Sequence, residues 1–81
     1  MPSITQPLSS LTIGKTALIT AIDADTGLLH RLTALGFRAG KPIQIVRRAN
    51  FNGPFHIRLG TTDVILRPAD AARIQIQLTE I

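Results

Sequence analysis

The chain has 81 residues, the size of a single domain, so we expect one compact unit over residues 1–81 with residues 1–7 as a loose lead-in. It has no cysteine, which excludes disulfides, thiolate metal sites and cysteine nucleophiles. Its net charge of +4 suits nucleic acid, an anionic membrane or an acidic partner, but the charges are spread along the chain and equally serve solubility.

The N-terminal part predicts a helical turn followed by a central strand. Leu8 and Leu11 are three residues apart, which is typical of one helical turn that holds this segment on the core. The stretch from Thr16 to Asp23 is β-branched and apolar and predicts the first strand. Its two faces, one through Leu18 and the other through Ile19, are both largely apolar, which indicates a central position in the sheet.

Leucines at helical spacing predict a helix from Thr26 to Leu35. Leu28, Leu32 and Leu35 recur at i, i+4 and i+7 and form its buried stripe, while Leu29 lies at the rim of that stripe. A helix of this length does not persist alone, so it must pack against the sheet.

The ends of this helix are also marked in the sequence. Asp25 or Thr26 offers a side-chain oxygen to the free amides of the first turn. Gly36 can end the helix in the left-handed conformation, with Phe37 folding back on Leu32.

The second half of the chain predicts short strands joined by tight turns. An Asn52-Gly53 turn supplies positive φ, and one 3₁₀ turn precedes the last strand. The four strands expected here are Pro42–Arg48, Phe55–Leu59, Asp63–Arg67 and Ile74–Leu78. Five short strands predict a mainly β fold, a small closed SH3-like barrel with one inserted helix, because closure removes unpaired edges.

Motifs for catalysis and metal binding are incomplete. Gly14-Lys15-Thr16 resembles the end of a phosphate-binding loop, but the glycine expected five residues earlier is Ser9, and a strand follows instead of a helix. Asp23 to Gly27 begins like a calcium loop and lacks the later ligands. His30 and His56 are expected to point outward from different elements, in an incidental role or as a weak metal contact. We predict no catalytic residue, no metal site, no cofactor and no enzyme activity.

Exposed apolar side chains are the better functional candidates. Phe51 lies in a loop rich in Asn, Gly and Pro, so it is either a docking anchor or a ring folded over the open end of the barrel. Leu29 is likewise either a docking residue or a partly covered side chain at the rim of the helical stripe. Phe51 is also the one ring that could stack on a base, with Arg47 and Arg48 nearby as phosphate contacts.

Four motifs follow one another at a specific spacing: Leu8-x-x-Leu11-x-x-Gly14, Arg31-Leu32-x-x-Leu35-Gly36-Phe37-x-x-Gly40, Gly53-Pro54-x-x-Ile57 and Leu66-Arg67-x-x-x-Ala71-x-x-Ile74. Each is weak alone, but together they resemble the ferrous iron transport protein A (FeoA) family from about Leu8 to Leu78. The resemblance implies a small cytosolic SH3-like barrel that accompanies FeoB, an inner-membrane ferrous iron transporter with a cytosolic GTP-binding (G) domain. It implies a regulator or assembly partner that is not an established enzyme.

We therefore expect an accessory protein of ferrous iron uptake that contacts the transporter's G domain through Leu29, Arg31, Arg38 and Phe51. It is expected in the cytoplasm, and at the inner membrane only through that partner, because no segment is long enough to span a bilayer. Two other interpretations are a small basic nucleic-acid-binding barrel and a divalent-metal-responsive regulatory module, since similar barrels occur in metal-responsive repressors.

Overall fold

The computed structural model describes residues 5–79. In chain order the elements are β1 (Thr5–Pro7), a 3₁₀ turn (Leu8–Ser10), β2 (Thr16–Ile22), α1 (Thr26–Leu35), β3 (Pro42–Arg48), β4 (Phe55–Leu59), β5 (Thr62–Leu66), α2 (Pro68–Ala71) and β6 (Ile74–Leu78). The strands form one antiparallel six-stranded sheet in the order β1-β6-β2-β3-β4-β5. The predicted mainly β class with one inserted helix is confirmed.

The sheet has six strands, where the sequence predicted five. Thr5–Pro7, which we assigned to the loose lead-in, pair with β6 through Thr5 opposite Gln77 and Pro7 opposite Gln75, and residues 1–4 lie outside the described part. The short strand satisfies one side of β6, which would otherwise expose a row of free amides and carbonyls. The sheet is not closed, since β1 and β5 are its two edges within residues 5–79, so the term barrel applies loosely.

β2 lies in the middle of the sheet, between β6 and β3, as predicted. Only one of its faces is buried, however: Ala17 and Ile19 are in the core, whereas Leu18 is 38% exposed. A register shift between Ile19 and Ala21 interrupts the alternation and turns Ile22 back against the core. Leu18 is therefore outside the core although β2 is central, and the bulge resets which residues after Ile19 face inward.

The helix and both of its ends follow local chemistry. The Leu28 amide donates to Asp25 Oδ1 at 2.8 Å, so Asp25 and not Thr26 is the cap. Gly36 has φ +105°, and the Phe37 amide donates to the Leu32 carbonyl at 3.0 Å, which is the predicted left-handed ending.

The buried stripe of α1 is narrower than predicted. Leu32 is fully buried and Leu28 partly so, but Leu35 is 43% exposed. The chain reverses at Gly36, and the fully buried Phe37 enters the core immediately after Leu35. The larger ring contributes to the core at the C-terminal end of the helix, so Leu35 is left outside.

α2 is a single turn of α-helix where the sequence predicted 3₁₀ geometry. The Ala72 amide donates to the Pro68 carbonyl at 3.0 Å, which is the four-residue spacing of an α-helix. Pro68 stands at the first helical position, where its fixed φ suits the helix and its missing amide costs nothing. α2 joins the edge strand β5 to β6 and places Ala71 in the core.

Candidate docking surfaces

α1 is held to the sheet along one narrow seam and is exposed around the rest of its circumference. The seam consists of Leu28 and Leu32. The exposed residues that form what we call the α1 face are Leu29, His30, Arg31, Thr33, Ala34 and Leu35. Because successive residues are about 100° apart, Leu29 borders one side of the seam and Arg31 borders the other. The face therefore has a leucine at each margin, Leu29 at 38% and Leu35 at 43% exposure, with short or polar side chains between them.

Arg31 connects the α1 face to α2. Its guanidinium lies 3.7 Å from Asp70 Oδ2, and the Nε of Arg67 donates to the same oxygen at 3.3 Å. Asp70 is largely covered, whereas more than half of the Arg31 side chain is exposed. The contact with Asp70 thus orients the Arg31 guanidinium, which still has donors available for a partner.

Arg38 lies just beyond the C-terminal end of α1, in the turn that leads into β3. This turn is fixed on both sides: the Lys41 amide donates to the Arg38 carbonyl at 3.2 Å, and the Gly40 amide donates to the Ile19 carbonyl at 2.7 Å. Arg38 is exposed to solvent.

Phe51 stands at the tip of the loop between β3 and β4 and is 99% exposed. The interpretation in which its ring folds over the end of the barrel is therefore wrong. Phe51 has φ +60° and Asn52 has φ +58°, so the positive φ begins one residue before the predicted Asn-Gly pair. Gly53 is needed for space instead, since a Cβ there would lie 2.9 Å from the Ala49 Cβ.

Two hydrogen bonds fix the loop that carries Phe51. The Ala49 amide donates to the Pro54 carbonyl at 3.0 Å, and the Arg48 Nε donates to the Gly53 carbonyl at 3.3 Å. The Arg48 guanidinium also lies 4.4 Å from the centre of the Phe55 ring, in a cation–π contact. The backbone thus presents the Phe51 ring to solvent from a closed loop.

The predicted site residues do not form one surface. Arg38 and Phe51 lie in the loops at opposite ends of β3, and seven residues of strand span on the order of 20 Å. Leu29 and Arg31 lie at opposite margins of the α1 face, and Arg38 lies in the turn after that helix. Leu35, which sequence reasoning placed in the core, joins the α1 face; the glycine directly after it was the signal that the helix ends there.

His56 and Asp63 meet on the outer face of the sheet together with Arg58. His56 Nε2 lies 2.9 Å from Asp63 Oδ2, and the Arg58 Nε donates to Asp63 Oδ1 at 2.9 Å. These hydrogen bonds, first that of Arg58 and then that of His56, lower the pKa of Asp63 from 3.8 to about 2. The cluster is a structural ion pair across β4 and β5, since Arg58 lies opposite Asp63 in the register; His56 lies opposite Ile65 and contacts Asp63 diagonally.

A metal centre does not assemble from the histidines. His30 lies on α1 and His56 on β4, and within residues 5–79 no three His, Cys, Asp or Glu side chains group so that they could hold an ion. Zinc sites in proteins take three or four such ligands.

Two of the surface grooves are lined partly by ionisable groups. The larger, of about 720 Å³, runs beside Gly14, Lys15 and Thr16. The second, of about 540 Å³, is lined by Asp23 and Asp25 together with Asp70 and Arg73. Asp25 caps α1, Asp70 accepts from Arg67, and Asp23 lies 3.8 Å from Arg73. The carboxylates of the second groove therefore already have partners among the described residues.

Positive charge is distributed and partly compensated. Four arginines lie beside carboxylates at 2.9–3.8 Å, in the pairs Arg31–Asp70, Arg58–Asp63, Arg67–Asp70 and Arg73–Asp23. The fully exposed ring, Phe51, is at a loop tip and not on the sheet face where bases would stack. Neither helix of residues 5–79 has the length and apolar character needed to cross a bilayer.

These features define a small SH3-like β domain whose prominent surfaces are an exposed helix face and an exposed loop-tip ring, an arrangement typical of a binding module. The chain belongs to the FeoA family, because residues 6–78 match the model of the FeoA domain. The fold and family expected from the sequence motifs are thereby confirmed.

Three relatives illustrate the match. The chain is 34% identical over 71 residues to an Fe(2+) transport protein A/Fe(2+) transporter FeoB fusion protein of Porphyromonas gingivalis, covering 88% of this chain and 8% of that protein. The solution structure of iron(II) transport protein A from Clostridium thermocellum superposes with a TM-score of 0.88 at 28% identity, covering 91% of this chain and 46% of that one. A zinc complex of Stenotrophomonas maltophilia FeoA, described as an SH3 domain protein, gives a TM-score of 0.77 at 25% identity, covering 88% of each chain.

Proposed function

We propose that this protein is an accessory and regulatory protein of ferrous iron uptake that docks on the cytosolic G domain of a FeoB-type transporter. The observation that carries the proposal is the α1 face, a helix surface with two partly exposed leucines and an adjacent arginine. The Porphyromonas relative supports the choice of partner, because it joins the two kinds of protein in one chain. The Stenotrophomonas protein carries a suggested role as a ferrous iron transport activating factor.

Docking requires the leucines to leave water and the arginines to meet acidic groups. Burying the remaining exposed part of Leu29 is worth roughly 1 kcal/mol, which corresponds to about a fivefold change in affinity. Arg31 and Arg38 add electrostatic attraction, which speeds association and weakens as salt rises. Contact then shifts the equilibrium between two conformations of the transporter. The free energy of this shift equals the difference between the binding free energies of this protein for the two conformations. The protein would act in the cytoplasm, and at the inner membrane only while bound.

Leu29→Gln tests the docking face, and Leu18→Gln is its matched control. Both leucines are 38% exposed, but Leu18 lies on the outer face of β2 and not on the α1 face. Binding to the purified G domain from the same organism is measured by calorimetry. We expect Leu29→Gln to weaken affinity at least fivefold and Leu18→Gln to bind as the wild type does. The docking face is wrong if the two variants bind alike.

The same preparation separates the other two interpretations. Salt-dependent binding to a DNA or RNA oligonucleotide that disappears in Arg47→Ala/Arg48→Ala would replace the proposal with nucleic-acid recognition. Stoichiometric heat on adding ferrous or manganous ion that disappears in His30→Ala or His56→Ala would replace it with a metal-responsive role. Absence of wild-type binding to the G domain at micromolar concentration would contradict the proposed partner.

A further inference from the structure

β5 is an open edge of the sheet. It pairs only with β4, and among residues 5–79 no hydrogen bond from another element reaches its backbone. An edge of this kind leaves a row of amides and carbonyls available for another strand.

The hairpin between β4 and β5 determines which backbone groups are free. Gly60 and Thr61 form its two-residue loop, and Gly60 has φ +64°, as a type II′ turn requires at its first central position. Leu59 and Thr62 close this loop as a hydrogen-bonded pair, and such pairs alternate along an antiparallel ladder. The alternation directs the amides and carbonyls of Asp63 and Ile65 away from β4, toward the open edge.

The two edges of the sheet differ in how they are protected. β1 is three residues long and ends in Pro7, and both features discourage further pairing. β5 is five residues long and contains no proline or lysine. Its outward side chain Ile65 is 67% exposed, so the edge carries one exposed apolar side chain between Asp63 and Arg67.

We propose that β5 pairs antiparallel with β5 of a second copy of this chain, with Ile65 opposite its own counterpart. Asp63, Ile65 and Arg67 lie at i, i+2 and i+4 and share the outer face, since Arg67 is still extended at φ −68° and ψ 149°. In this register Asp63 of each copy faces Arg67 of the other, which is a favourable cross-strand pair of opposite charges. Each Ile65 exchanges both backbone hydrogen bonds with its counterpart, and the two isoleucines pack on one another.

Other registers are less favourable. Placing Asp63 opposite its own counterpart brings like charges together, and placing Asp63 opposite Ile65 separates the carboxylate from the arginine. The Arg67 side chain is 71% exposed, so it has donors left beside its bond to Asp70. The contact is one strand wide and much smaller than a stable interface, so the dimer is weak and forms as concentration rises.

Backbone amide exchange provides the first test, because it distinguishes the two sides of β5. As protein concentration increases from ~10 μM to ~1 mM, the amides of Ile65 and Arg67 should exchange more slowly. The Asp63 amide is left out of this test, because the Arg67 carbonyl that would face it already accepts from the amides of Asp70 and Ala71 at 3.0 and 2.9 Å. The amides of Val64 and Leu66 already bond to β4 and should not change. Equal behaviour of the two sets, or a wild type that stays monomeric at ~1 mM in sedimentation equilibrium, overturns the proposal.

Two variants of Ile65 provide the second test. Ile65→Pro removes an amide that β4 does not use, and an edge strand tolerates proline at such a position. Ile65→Lys keeps the amide and places like charges opposite one another across the two-fold axis. Both should weaken dimerisation at least tenfold, whereas Ile13→Lys, at a similarly exposed isoleucine of the loop before β2, should not. If Ile65→Lys and Ile13→Lys dimerise equally, or if Ile65→Lys instead weakens only G-domain binding, self-pairing is wrong.

Discussion

The ring of Phe51 is exposed to solvent and its backbone is in a strained conformation, which leads to a prediction about stability. The ring is 99% exposed, so removing it sacrifices almost no packing. A non-glycine residue in the left-handed region costs about 1–2 kcal/mol, and Phe51 has φ +60°. Glycine relieves that cost but adds roughly 0.5–1 kcal/mol of backbone entropy to the unfolded state. Phe51→Gly should therefore stabilise the domain by about 0.75 kcal/mol, the middle of a range of about 0–1.5 kcal/mol, which is a rise in Tm of roughly 3–6 °C.

The matched control is Phe51→Ala, which removes the ring and keeps the backbone strain. Its free energy of unfolding should stay within about 0.5 kcal/mol of the wild type, as for an ordinary surface substitution. Urea denaturation followed by circular dichroism measures both variants, and calorimetry with the G domain measures binding. If Phe51 is a second docking anchor, both variants bind more weakly although one of them is more stable.

Two results would refute this reasoning. Destabilisation by Phe51→Gly would show that the ring packs in the folded protein or that the loop depends on it. A loss of more than about 1 kcal/mol in Phe51→Ala would lead to the same conclusion, since only the ring differs.

Two further predictions concern Gly36 and Asp63. Gly36→Ala should destabilise the domain by about 2 kcal/mol, because the residue has φ +105° and its Cβ would lie 3.3 Å from Leu59 Cδ2. Gly40→Ala, at φ +88° with open space around it, is the control and should cost only the backbone strain of about 1 kcal/mol. Equal losses of unfolding free energy in urea denaturation would contradict the role of the Leu59 contact. Because the pKa of Asp63 is lowered in the folded state, its contribution to stability is present above pH 3.8 and is lost as the pH falls toward about 2. Asp63→Asn should thus make the unfolding free energy less dependent on pH in that window, and an unchanged slope of Tm against pH would show that the Arg58 and His56 contacts do not form in solution.

Features that depend on neighbouring residues could be predicted from the sequence. The helix from Thr26 to Leu35 was predicted with its bounds, because capping by Asp25 and the left-handed ending at Gly36 involve groups only a few residues apart. The strands were predicted to within about a residue, since alternation and turn residues are also local. The family followed from the order of such local motifs.

Features that depend on competition between distant segments could not be predicted. Leu35 is 43% exposed while Phe37, two residues later, is fully buried, and a bulge against β6 turns Ile22 toward the core near the end of β2. Pairing of Thr5–Pro7 with β6 and the open edge at β5 depend on which strands meet, and strand order is a long-range property.

The candidate surfaces show the same division. Residue types alone indicated that Leu29, Arg31, Arg38 and Phe51 suit a partner better than a substrate. Only the folded chain separated Phe51 from Arg38, because β3 holds the loops that carry these two residues at its opposite ends. Spacing along a chain specifies turns and periods, whereas distance through space and exposure to water arise when the whole sheet has assembled.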